Sequence, residues 1–170
     1  MIILGIDPGT TRIGFGVIEK SYGKLSYING GLFNIPAESK NYGRLISAGE
    51  EIKRILKKFK PDIVGIEKVF FASNQKTAVQ VIEARGVIIE SIAKRSIPII
   101  ELVPTEVKLA VTGNGRADKK AVAKLVLLSL KIDPAESFLK KWPDDVFDAL
   151  AIAIASSTKT IHRRFSPDKN

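Results

Sequence analysis

The stretch IILGIDPGTTRIGFGVI, residues 2–18, opens the chain with two apolar runs on either side of an Asp-Pro-Gly-Thr-Thr turn. The runs predict two strands, Ile2–Ile6 and Gly14–Glu19, because β-branched residues favour extended backbone and proline with glycine interrupts it. Asp7 stands at the carboxyl end of the first strand. Such a start suits two kinds of site: a turn that binds nucleotide phosphates, or a carboxylate that holds a metal ion.

The segments that follow predict one mixed sheet covered by helices. Lys24–Asn34 reads as a third strand, and the short polar links predict that the first three strands pair as an antiparallel meander. Helices and strands then alternate, which is typical of parallel strands in an α/β fold. We predict helices at 42–59, 74–95, 104–111, 117–130 and from Pro143 onward, and strands at 62–69 and 97–103.

The predicted helix at 74–95 carries more apolar surface than one core contact needs. Its main apolar face consists of Ala78, Val81, Ile82, Ile88, Ile89 and Ile92. Val79, Val87 and Ala93 widen that surface. Two interpretations fit this pattern: a deeply buried helix, or a second face that meets another subunit.

Length and composition limit the classes of protein to consider. The 170 residues predict one domain over 1–160 and a flexible tail over 161–170. Twenty-seven basic and 18 acidic residues give a net charge of +9, which favours a nucleic-acid partner. The absence of cysteine excludes disulfides and thiolate metal sites, and one histidine disfavours structural zinc. With no signal peptide or apolar run of membrane length, we expect a soluble cytoplasmic protein.

Carboxylates occur where apolar residues are expected. Glu67 ends the apolar strand IVGIE as Asp7 ends the first strand, and parallel neighbours would bring both to one sheet edge. In the last helix Asp145 and Asp148 share one face, whereas Asp144 suits the helix N-terminus. Buried carboxylates are costly unless they are paired or bind metal. Without Cys or His ligands, such a cluster suggests a site for two hard cations, Mg²⁺ or Mn²⁺, of the kind that catalyses cleavage of a phosphodiester bond.

Four segments, in order, resemble the RuvC family, the Holliday junction resolvases of bacterial recombination. They are LGIDPGTTRIGFGVI, IVGIEKVFFASNQKTAVQVIEARGV, VKLAVTGNGRADKKAV and DDVFDALAIAIA. The resemblance spans nearly the whole chain and implies a ribonuclease H-like α/β fold, with a mixed five-stranded sheet flanked by helices. It also implies a homodimer that makes paired nicks in four-way DNA junctions, leaves 5′ phosphates, and associates with the RuvA–RuvB branch-migration complex. The implied cofactor is Mg²⁺, two ions per subunit, with Mn²⁺ as a substitute.

The same resemblance assigns roles to single residues. By position Asp7, Glu67, Asp145 and Asp148 correspond to the family's four acidic, metal-binding residues, and the doubled acid leaves Asp144 as an alternative to Asp145. Two aromatic and several basic side chains are DNA-contact candidates by their place in the motifs. They are Phe70, Phe71, Lys108 and Lys119, with Arg116, Lys120 and Arg85 as weaker candidates.

Most of these DNA-contact candidates have an alternative role. Phe70 corresponds to an aromatic residue that stacks on bases at the junction, and Phe71 is a second aromatic that could share that role. Core packing is the alternative for either of them. Lys108 and Lys119 correspond to basic residues near the scissile phosphate, and Lys119 counts among the catalytic residues. A solvated helix lysine is the common alternative for both. Arg85 is also a candidate for an ion pair inside the dimer.

Three other functions compete with a junction nuclease. Actin-like or sugar-kinase-like ATPases share the opening turn, but they close two lobes around nucleotide, and this length supplies one lobe without a P-loop. A non-catalytic junction-binding protein would gain nothing from acids that face phosphate. A ribonuclease H-like nuclease that cuts RNA–DNA hybrids is disfavoured only by the resemblance, through the loop at 111–120 and the paired aromatics.

Overall fold

A five-stranded mixed sheet forms the centre of the protein in a computed structural model, which describes residues 1–9, 11–35, 42–68, 75–133 and 142–159. Side chains of the helix that begins at Gln75 are described from residue 79. The strands are β1 (Ile2–Pro8), β2 (Arg12–Ser21), β3 (Lys24–Asn34), β4 (Ile63–Glu67) and β5 (Ile99–Leu102). Their order is β3-β2-β1-β4-β5; β1, β2 and β3 pair antiparallel, and β4 pairs parallel with β1 and β5. The predicted mixed sheet is confirmed.

Helices cover both faces of this sheet and divide the core into two layers. They are α1 (Gly43–Phe59), α2 (Gln75–Ala93), α3 (Pro104–Thr112), α4 (Lys119–Leu130) and α5 (Asp144–Ser156). One core layer lies between the sheet and α1 with α2, and the other between the sheet and α5 with α3 and α4. Within the described ranges, no helix is long and apolar enough to cross a membrane.

The predicted elements all occur, and their ends differ by a few residues. Strand β2 begins at Arg12 instead of Gly14, because Pro8 of β1 still pairs with Ile13 and carries the antiparallel ladder past the turn. Helix α4 begins at Lys119 because Asp118 caps it: the Asp118 side chain accepts a hydrogen bond of 2.8 Å from the backbone N–H of Ala121. The predicted tail at 161–170 lies outside the described residues.

Helix α2 buries a narrower face than the periodicity predicts. Ala84, Ile88 and Ile92 are fully buried, one turn apart along the helix. Ile82 was predicted on the buried face but is exposed. It precedes the buried Ala84 by two residues, which is a rotation of about 200° around the helix, so its side chain lies on the opposite side. Val79, one turn before Ile82, is exposed as well. The described part of α2 therefore has a second, apolar face outside the core of its own chain.

The two faces of β2 carry different side chains. Ile13, Phe15 and Val17 pack into the layer with α1 and α2. The alternate positions Gly14 and Gly16 lie on the other face, under α5, because side chains alternate along a strand. Large side chains of β2 fill the core layer on one face, and the glycines leave a groove on the other face.

The backbone of α5 lies directly in this groove. A Cβ atom on Gly14 would lie 2.1 Å from the carbonyl oxygen of Asp145, and a Cβ on Gly5 would lie 2.0 Å from that of Ala149. Neither position can hold a side chain unless α5 moves away. The glycines therefore determine how closely the first turns of α5, with their carboxylates, approach the ends of β1 and β2.

Gly14→Ala is expected to lower the free energy of unfolding by about 1–3 kcal/mol, because its methyl group would overlap backbone rather than a flexible side chain. Urea unfolding followed by circular dichroism measures this change. The matched control is Gly86→Ala in α2, where an added Cβ meets nothing within 4 Å and alanine favours the helix. Equal unfolding midpoints for Gly14→Ala and the unmodified protein would contradict the packing of α5 on Gly14.

Candidate active site

Asp7 and Glu67 lie side by side at one edge of the sheet. In the parallel pair of β1 and β4, Ile6 is opposite Ile66, so Asp7 and Glu67 follow at the carboxyl ends of both strands. This edge is where α/β sheets usually bind their ligands. The predicted juxtaposition of the two strand-end carboxylates is therefore confirmed.

Helix α5 brings two further carboxylates to the same edge. The negative charges of Asp145 and Asp148 both act on Asp7, together with that of Glu67. The Asp145 side chain is 20% exposed, whereas that of its neighbour Asp144 is 73% exposed. Asp145 therefore acts on both Asp7 and Asp148, whereas Asp144 acts on Asp148 and is the more exposed of the two.

Burial and neighbouring negative charges raise the pKa values of three carboxyl groups at this edge. Burial, and then the charges of Asp148, Glu67 and Asp145, raise the pKa of Asp7 to about 7. Burial and Asp148 also raise the pKa of Glu67. Burial is the largest cause that raises the pKa of Asp148, although Lys119 opposes it.

Lys119 is the predicted catalytic cation that the structure places at the site. Its Nζ lies 3.2 Å from Oδ2 of Asp148 and 3.5 Å from Oδ2 of Asp144. Partial burial alone would lower the pKa of Lys119, but the charges of Asp148 and Asp144 outweigh it and raise the pKa. The position of Lys119 at the start of α4 lets its side chain reach across to the first turns of α5.

The other predicted basic residues differ in their distance from the carboxylates. Lys108 on α3 is near enough for its charge to oppose the increase in the pKa of Glu67 that burial causes. Arg116 and Lys120 are exposed, and within the described ranges no ion pair joins either of them to a carboxylate. Phe70 and Phe71 lie outside the described residues.

Arg85 makes contacts that were not predicted. Its Nε donates a hydrogen bond of 3.1 Å to the backbone oxygen of Glu67, and its guanidinium makes a close ion pair with Glu101 on β5. Both partners belong to its own chain. Arg85 instead connects α2 to the ends of β4 and β5 and holds the backbone that carries Glu67.

Arg12 is a site residue that the sequence reasoning missed. Its Nη2 lies 3.4 Å from Oδ2 of Asp145, so a cation from β2 faces the carboxylates as well as the cation from α4. The signal was present in the sequence: Arg12 precedes Gly14 and Gly16 at a spacing of two, which puts all three on the α5 face of β2.

The chemistry of this site fits a divalent cation. Lys119 and Arg12 are two charges against four carboxylates, and the excess negative charge contributes to the raised pKa of Asp7. Carboxylate oxygens are the ligands that Mg²⁺ and Mn²⁺ prefer. As the side chains stand, no group of three Asp, Glu, His or Cys in the described part of the chain is arranged to hold an ion. Asp145 and Asp148 instead contact the cations Arg12 and Lys119.

Comparison with known proteins identifies the family. The model of the family described as crossover junction endodeoxyribonuclease RuvC matches residues 3–156. A relative of that description from Carboxydothermus hydrogenoformans is 45% identical over 161 residues, which cover 94% of this chain and 97% of the relative. Another from Thermosipho melanesiensis is 42% identical and covers 94% of this chain and 99% of its own.

Solved structures agree with this match. The structure of RuvC from Thermus thermophilus in complex with a Holliday junction substrate has a TM-score of 0.83 at 29% identity and covers 92% of this chain and 93% of that one. The yeast mitochondrial Holliday junction resolvase, at 17% identity and a TM-score of 0.67 over 90% of this chain and 76% of its own, shows a shared fold. The predicted ribonuclease H-like fold is confirmed. The chain belongs to the RuvC family of crossover junction endodeoxyribonucleases, which resolve Holliday junctions in DNA.

Proposed function

We propose that this protein cuts four-way DNA junctions at the edge formed by Asp7, Glu67, Asp145 and Asp148, with divalent metal ions as cofactor. The observation that carries the proposal is the gathering of buried carboxylates at that edge: burial, and then the charges of Asp148, Glu67 and Asp145, raise the pKa of Asp7 to about 7. A DNA-binding surface gains nothing from such charge unless a cation offsets it, because DNA itself is a polyanion. We propose Mg²⁺, two ions per subunit, with Mn²⁺ as a substitute.

In this proposal the reaction is hydrolysis of one phosphodiester bond per strand. Water adds to the phosphorus and the bond to the 3′ oxygen breaks, so the products are a 5′ phosphate and a 3′ hydroxyl. When bound, the ions supply activation of the water and stabilisation of the leaving oxygen. Asp7 and Glu67 are held by the register of two parallel strands, and Asp145 and Asp148 by the close packing of α5.

The basic residues of the site act on the phosphate in this proposal. Lys119 already faces the carboxylates at 3.2 Å from Asp148, so it can exchange that partner for a phosphate oxygen and offset the developing charge. Lys108 orients the scissile phosphate near Glu67. Arg116 and Lys120, which are exposed, contribute affinity through the DNA backbone. Phe70 and Phe71 remain the proposed stacking partners of junction bases.

A homodimer would let the protein cut two opposed strands together. The exposed, apolar second face of α2, with Val79 and Ile82, supports this part of the proposal. A two-fold dimer also matches a four-way junction, which is itself nearly two-fold. Association with the RuvA–RuvB branch-migration complex follows from the family membership. Because the relatives named above are bacterial, we propose that the protein acts in the cytoplasm.

A synthetic four-way junction, labelled on each strand in turn, tests the proposed function. With Mg²⁺ the protein is expected to nick two opposed strands at symmetric positions and to leave ends that ligase can seal. With EDTA, or with linear duplex or RNA–DNA hybrid in place of the junction, cutting is expected to fall at least about 10²-fold. Equal cutting of junction and linear duplex, or unchanged cutting in EDTA, would contradict the proposal.

A further inference from the structure

Arg12 is the cation that faces the carboxylates from β2. The backbone of Arg12 is firmly held, since it pairs with Asn34 of β3 and its neighbour Thr11 accepts a hydrogen bond of 2.7 Å from Ile35. Its side chain is 54% exposed. The strand therefore presents an exposed guanidinium from a fixed point, beside the carboxylates at the edge where Asp7 and Glu67 lie.

The contact between Arg12 and Asp145 is weak enough to be exchanged. The nearest nitrogen and oxygen are 3.4 Å apart, which is longer than a charge-assisted hydrogen bond. A half-exposed ion pair of this kind contributes about 0–1 kcal/mol, because solvent screens it. A guanidinium has five N–H donors in a fork that matches a phosphate, and one long contact with Asp145 leaves most of them available.

Arg12 and Lys119 approach the carboxylates from different elements of the fold and contact different carboxylates. Lys119 approaches the carboxylates from α4 and is shared between Asp148 and Asp144, whereas Arg12 approaches Asp145 from β2. Two cations from separate elements thus face the same anionic edge. If Asp145 turns toward a metal ion, Arg12 loses its partner and its charge is free for a second anion at the same edge.

We propose that Arg12 is a DNA-contact residue that pairs with Asp145 in the free protein and moves to a backbone phosphate of the bound junction. This inference rests on the proposed function, because it takes the edge with Asp145 as the place where DNA lies. The exchange costs little in the free protein, and it gives the phosphate a bidentate partner that a lysine cannot supply.

The test measures how junction binding depends on salt, in EDTA, so that no metal takes part. An Asp145→Asn background removes the competing carboxylate and prevents cutting in the proposed mechanism. In that background Arg12→Gln is expected to reduce the slope of log K against log salt by about 1 and the affinity on the order of tenfold. Arg12→Lys is expected to keep the slope, because it keeps the charge, but to lose part of the affinity.

The matched control is Arg54→Gln, since Arg54 is 62% exposed and also pairs with a carboxylate, but on α1 at Glu51. Arg12→Gln and Arg54→Gln with equal slopes and affinities would overturn the proposal. An Arg12→Gln protein with a lower melting temperature and an unchanged slope would also overturn it, since Arg12 would then serve stability alone. Failure of the unmodified protein to cut junctions with Mg²⁺ would overturn the proposed function instead, and the metal-free slope would still report on Arg12.

Discussion

Asp7→Asn is expected to reduce junction cutting by about 10³-fold or more while junction binding stays within a few-fold of the unmodified protein. Asp7 is the carboxylate on which the charges of Asp148, Glu67 and Asp145 all act, so it lies at the centre of the group. An amide has the same shape but no charge for a divalent cation. Binding is expected to persist, because the contacts that hold the DNA backbone come from basic side chains. Single-turnover cutting of a labelled junction and fluorescence anisotropy measure the two quantities.

The matched control is Asp144→Asn, at the acidic residue beside Asp145. Its side chain is 73% exposed and contacts Lys119 at 3.5 Å, so it lies at the rim of the group. We expect a change of a few-fold at most, whereas Asp145→Asn should resemble Asp7→Asn. Mg²⁺-dependent cutting that survives Asp7→Asn would refute the assignment of Asp7 as a metal ligand. A large loss in Asp144→Asn with none in Asp145→Asn would reverse the choice between the two.

The fold could be predicted from local patterns because most of them agree with the tertiary structure. Apolar strands that end in Asp7 and Glu67 place both carboxylates at one edge once the strands are parallel neighbours, as the register shows. The ends of the strands were harder to predict. The extension of β2 to Arg12 depends on the pairing of Ile13 with Pro8 in the turn region. Pairing between strands is a tertiary property and leaves a weak local signal.

The orientation of the helices limited the prediction of the site. Helical spacing puts Asp145 and Asp148 on one face, but Gly14 and Gly5 decide which face meets the sheet, because they let the backbone of α5 approach. The same limit explains Ile82, whose exposure depends on how α2 is rotated over the sheet. The contacts of Arg85 with Glu101 and the backbone of Glu67 join three elements, and no sequence spacing encodes them.

The metal-free protein is expected to lose stability as the pH rises from 4 to 8. The pKa of Asp7 is about 7 in the folded protein against a usual 3.8, so between these values the folded state keeps a proton that the unfolded chain releases. The contribution of Asp7 to the free energy of unfolding is fully present below about pH 4 and is lost as the pH rises through 7. The loss is at most about 4 kcal/mol. Glu67 and Asp148, whose pKa values are also raised, act in the same direction.

Urea unfolding in EDTA at several pH values measures this loss, and Asp7→Asn isolates the part that belongs to Asp7. Other groups have opposite shifts; the pKa of Glu106 is lowered, chiefly by a hydrogen bond from the backbone N–H of Val103. These shifts are common to both proteins, so the difference between the two profiles removes them. The variant should be more stable than the unmodified protein at pH 8 and similar to it at pH 4. Parallel profiles would mean that Asp7 stays ionised in the folded protein, and the charge that a metal ion is proposed to offset would then already be balanced by Lys119 and Arg12.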